Sequence, residues 1–131
     1  MGTARTEHRF QFSASAIAAA AQAEAEYHKQ RMAFWADAYG TAMTTVQATA
    51  RVDFKEYQVT GGVRIDAVVT YGDPAEWKRA QEAWGKIHEH RQAADRFITD
   101  ARIYGTQGER IYELDSEDVH YFRLGGEARP D

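Results

Sequence analysis

Apolar positions recur along the chain at two different periods, and the switches between them mark the elements. From Ala14 the apolar seam runs Ala14, Ala18, Ala21, Ala25, His28, Met32, Trp35, Tyr39, Ala42 and Val46. Steps of four and three alternate, as in a heptad repeat. Ile17, Tyr27, Phe34 and Ala38 widen the seam into a broad face. This predicts a helix over about 13–50, with Ser13 as its cap and Gly40 as a weak point. Its early part is almost all alanine, so a partnering element can approach closely there.

The period then drops to two. Val63, Ile65, Ala67, Val69 and Tyr71 alternate cleanly, and Thr60-Gly61-Gly62 supplies a turn between this run and Val52–Val59. A hairpin is predicted over about 52–71. In its first strand Val52 and Phe54 share one face whereas Tyr57 and Val59 fall on the other. That mismatch predicts a bulge near Lys55–Glu56.

Asp73-Pro74 opens a second helix, predicted over about 73–102, with Asp73 as cap. Its seam is Trp77, Ala80, Trp84, Ile87, Arg91, Ala94, Ile98 and Ala101. Gly105–Gly108 reads as a turn, Arg110–Leu114 as a short strand, and Asp115 or Ser116 as the cap of a short helix stopped by Gly125. The expected architecture is one α+β domain with an α-β-β-α core. Residues 1–12 form an N-terminal arm and 105–131 a C-terminal strand and helix tail. The order of elements resembles, in outline, the small phage head–tail joining proteins and the prefoldin-like chaperones. That resemblance is one of topology alone, with no shared motif.

Composition narrows the function classes. Sixteen basic and twenty acidic residues give a formal charge of -4, which disfavours a general nucleic-acid binder. Cysteine is absent, which removes disulfides, thiolate metal sites and cysteine nucleophiles and fits a reducing, cytoplasmic setting. Arg5, Arg9 and the Ala21-Gln22-Ala23 triplet echo a signal peptide. The intervening run holds one Ile and no Leu or Val, so it reads as helix instead. No stretch is apolar enough to span a bilayer.

Two polar triples interrupt the seams. Glu24, His28 and Arg31 lie inside the apolar arc of the first helix; His88, Arg91 and Asp95 do so on the second. If the helices pack antiparallel across the hairpin, residues whose numbers sum to about 124 lie level, at ~1.5 Å rise per residue. Asp95 then faces His28, and Arg31 lies near Arg91. Carboxylates, histidines and arginines in one layer suit an anion or proton-transfer site. They equally suit a polar layer that sets register or oligomeric state, and that reading is favoured because nothing specifies a reaction. His88 and His90 point to opposite sides of a helix, so no metal pair is expected, and no cofactor motif is present. Met32, Trp35, Tyr39, Trp77, Trp84 and Ile87 are the expected interface residues. The functional expectation is a non-enzymatic interaction or assembly protein that acts as a homo-oligomer or binds a protein partner, such as a phage-type structural, adaptor or inhibitor protein. A small-molecule or anion-binding protein, or an enzyme, using the polar cluster is the alternative.

Overall fold

The computed structural model describes residues 6–129. Its elements follow the order β1 (Phe10–Ser13), α1 (Ala14–Ala48), β2 (Arg51–Val59), β3 (Gly62–Thr70), α2 (Pro74–Gly105), β4 (Ile111–Leu114) and α3 (Ser116–Tyr121). The α+β layout of two long helices around a hairpin, followed by a short strand and helix, is that expected from the sequence. Among the described residues no helix is long and apolar enough to cross a membrane.

Capping explains where the helices begin. Ser13 Oγ accepts from the Ala16 amide at 3.1 Å, and Asp73 Oδ1 from the Glu76 amide at 3.0 Å. Asp115 does the same for Asp118 at 2.8 Å. Helix α1 runs unbroken through Gly40 for 35 residues. Helix α3 stops earlier than Gly125. Arg123, with φ 54, holds the left-handed turn, while the amides of Arg123 and Leu124 bond back to His120 and Val119. This is a Schellman stop with arginine where glycine is usual.

The chain divides into two compact units, one made of residues up to Gln30 and from His90 onward, the other of Arg31–Glu89. In the first unit the N-terminal arm is not free. Phe10–Ser13 pairs antiparallel with Ile111–Leu114, Phe10 opposite Leu114 and Ser13 opposite Ile111. Alternation of Phe10 and Phe12 was the only sequence signal for this strand. The core gathers Ile17, Ala21, Ala25, Phe97, Leu114 and Phe122, flanked by Phe12, Ile98, Tyr104 and Tyr112. Alanines on α1 leave shallow space, and aromatic rings from α2 and the tail fill it. Tyr104 meets Tyr112 and Phe122 edge-on, with centroids 5.2 and 5.9 Å apart.

The second unit holds the hairpin. Strands β2 and β3 pair without interruption from Arg51↔Thr70 to Val59↔Gly62, so the bulge expected near Lys55–Glu56 is absent. The expectation assumed that Tyr57 and Val59 must share a buried face with Val52 and Phe54. Neither face is buried, so nothing forces the strand to slip. Gly61, at φ 87, makes the turn. The fully buried apolar residues of this unit are Ala42, Val46, Ala80 and Ala83 alone. Tyr71 stacks on Trp77 at 5.0 Å, and Tyr39 meets Trp84 at 5.3 Å.

The two cores therefore predict unequal sensitivity. Phe97→Ala should lower stability by ~3–5 kcal/mol, because it empties the centre of the first unit. Its urea midpoint, compared with the parent's, checks this.

Candidate functional site

The two polar triples are divided between the two units: Glu24, His28, Arg91 and Asp95 lie in the first, Arg31 and His88 in the second. In the first unit Glu24 is buried on α1, at 2% exposure. Its partners come from the tail, not from Arg31. Arg129 donates from Nε to Glu24 Oε1 at 2.8 Å, with a terminal nitrogen 2.7 Å from the same oxygen. Arg123 Nε lies 3.4 Å from Oε2. The Arg129 guanidinium also sits 5.1 Å above the Tyr27 ring. One half-buried and one exposed arginine thus neutralise one buried carboxylate. The left-handed backbone at Arg123 helps aim one of them, a conformation that costs about 1–2 kcal/mol outside glycine.

His28 has a partner of its own. Its Nδ1 lies 2.8 Å from Nδ1 of His90, so one proton is shared between two imidazoles. The His28 ring stacks on Phe97 at 5.8 Å with a 10° tilt, and Tyr27 approaches it edge-on at 5.1 Å. Burial, then the neighbouring His90, pushes the His28 pKa below its ordinary 6.5. Glu24 opposes that shift, while Arg96 and Arg123 add to it.

Arg91 and Asp95 are exposed on α2 and take no part. Helical rise placed them at the right height: Phe97 does lie beside His28. The rotation was misjudged. The seam passes from Ile87 through His90 to Ala94 and Phe97, a step of three where four had been assumed. That leaves the Arg91 and Asp95 charges in water, where burial costs them nothing.

Arg31 and His88 belong to the second unit. Arg31 lies 4.4 Å from the Phe34 ring centre, with its Nε buried and unpaired among the described residues. His88 packs edge-on against Trp84 at 4.7 Å. The expected interface residues Tyr39, Trp77 and Trp84 line a groove of about 370 Å³ with Met43, Ala80 and Gln81. Trp35 lines a second groove with Ala38, Ala42, Glu76 and Arg79, and its indole nitrogen is buried without a partner among the described residues. Met32 and Ile87 are half-buried.

Sequence reasoning missed His90, Arg123 and Arg129. His90 was set aside as the wrong half of an i,i+2 pair. The arginines lie in a segment with no periodicity, where nothing predicts which core charge they reach.

A further exposed apolar surface lies on the hairpin. Register puts Val52 and Phe54 on one face with Val63, Ile65, Ala67 and Val69, joined by Glu56 and Gln58. Phe54 is 72% exposed and Ile65 61%. The other face carries Arg51, Asp53, Lys55, Tyr57, Arg64 and Asp66. There Arg64 pairs with Asp66 at 3.0 Å and lies 5.4 Å from the Tyr57 ring.

Comparison with family models, curated proteins and solved structures finds no match. The outline resemblance to phage head–tail joining proteins and prefoldin-like chaperones accordingly rests on element order alone. Among the described residues no three metal-ligating side chains converge.

Two outcomes follow from the buried charges. Glu24→Gln should cost about 1–2 kcal/mol, since both arginines are partly exposed and can turn to water. Removing both arginines, by R123A with R129A, should cost more, about 3 kcal/mol or above, because it strands a buried carboxylate. Denaturant titration of the two variants gives the order.

The His28 shift sets a pH dependence. With the folded pKa depressed, the unfolded chain binds the extra proton first. Stability is therefore full above about 6.5 and falls as pH drops through the lower folded value. Urea midpoints at pH 8 and pH 5 should differ in the parent, and His28→Phe should reduce the difference.

Proposed function

We propose that this protein is a non-enzymatic assembly protein that works as a homo-oligomer. The observation that carries the reading is the imbalance within Arg31–Glu89. Its buried core is three alanines and one valine. Phe34, Val52, Phe54, Val63, Ile65, Val69 and Trp84 meanwhile stand 47–72% exposed. A two-stranded hairpin is at best marginal in water and needs more strands or a covering layer. Monomeric proteins seldom expose contiguous apolar patches beyond a few hundred Å². A second copy of the chain supplies the missing cover.

The polar residues support the same reading. Glu24 is buried against Arg123 and Arg129, so the carboxylate is closed to a ligand and the two cations are already paired with it. Arg91 and Asp95 are solvated and apart from them. The anion-site alternative thereby loses the converging groups it required.

Light scattering should give a mass above one chain, and the melting temperature should rise with protein concentration, as association requires. Phe54→Asp should lower the mass and remove the concentration dependence. Helix content by circular dichroism should be unchanged, because Phe54 contributes little to the monomer's own packing. A parent mass of one chain at every concentration overturns the proposal.

A further inference from the structure

The hairpin also holds a specific instruction for pairing, which rests on the self-assembly reading above. Strand β3 is an open edge, since among the described residues its only strand neighbour is β2. Open edges are ordinarily guarded by charges or proline. On the apolar face β3 carries Val63, Ile65, Ala67 and Val69 with no polar residue among them, whereas β2 interrupts the same face with Glu56 and Gln58. The less guarded edge is therefore β3.

We infer that two copies join β3 to β3 antiparallel about Ile65, making a four-stranded sheet. Charge complementarity selects the register. Directly opposed residues share a face, so the two-fold axis must pass through a residue position. Centred on Ile65, Arg64 of each copy stands opposite Asp66 of the other, giving two ion pairs across the seam. Centring on Arg64 sets arginine against arginine, and centring on Asp66 sets aspartate against aspartate, each destabilising. Shifting to Ala67 places Arg64 opposite Thr70 and Asp66 opposite Val68, losing both pairs. The Ile65 register also keeps Val63 against Ala67, so every pair opposed on the apolar face from Val63 to Ala67 is apolar, while Val69 falls beside the Gly61 turn.

This pairing supplies the third and fourth strands that the hairpin lacks. It also joins the two apolar faces on one side of the new sheet. Two chains, or four where two such sheets stack, are the expected assemblies.

The absence of native cysteine makes the register directly readable. Opposed residues in an antiparallel pair have Cα atoms ~4.5–5.5 Å apart, within the span of a disulfide. Under mild oxidation, Ile65→Cys should cross-link to itself. Val63→Cys alone should not, but a mixture of V63C and A67C chains should. Arg64→Asp should weaken association about tenfold or more, and the double exchange R64D with D66R should restore it, with circular dichroism confirming that each variant is folded. A multi-chain mass without cross-linking at position 65, or with an odd number of chains, overturns this pairing and leaves self-assembly standing. A single-chain mass for the parent overturns both.

Discussion

The packing of α1's alanine face is the constraint on which the rest of the structure depends. A methyl group buries little area, so a helix surface of Ala14, Ala21 and Ala25 cannot make a core from its own side chains. Bulk has to come from outside the helix. Residues up to Gln30 obtain it from Phe97, Tyr104, Leu114 and Phe122, brought in by α2 and by a tail that folds back onto it. The tail is thus part of the core and not an appendage. Its two arginines on Glu24 complete the arrangement, because a carboxylate at that depth is tolerable only when paired.

Between Arg31 and Glu89 the same recipe is left unfinished. Alanines again line the helix contact, and Val46 is the one larger apolar side chain of this stretch that is buried beside them. The large apolar residues of this stretch sit on the hairpin and on half-covered grooves around Trp35, Tyr39, Trp77 and Trp84. Small residues inside and large ones outside is the inverse of a self-sufficient core. It becomes sensible when the protein is considered as one part of a larger assembly.

Much of the fold was legible in the sequence because periodicity reports burial directly. The 3.5-residue spacing located both helices, and Asp73-Pro74 and Ser13 marked their starts to within a residue. The bulge failed for a related reason: alternation reveals which residues share a face, but not whether that face is buried. The polar cluster was legible only in part. Their place in the apolar arc of α1 gave Glu24 and His28 their depth, yet the rotation of α2 turns on a single step, Ile87 to His90 instead of Arg91. A one-residue choice rotates a helix by about 100°, enough to exchange a half-buried histidine for a solvated arginine. Arg123 and Arg129 were invisible because long-range charge pairing leaves no local pattern.

The pairing of β1 with β4 carries a consequence for how the molecule forms. Those strands join Ser13 to Ile111, nearly the full span of the chain, whereas β2 and β3 are separated by a two-residue turn. Closing so long a loop is entropically costly and slow, while a hairpin closes in roughly 1–10 μs. The edge of β3 is therefore presented to solvent before the aromatic tail has found its alanine bed. In the proposed assembly, copies of the chain meet through their hairpins while each is still half folded, and local concentration during synthesis then becomes a determinant of the final state.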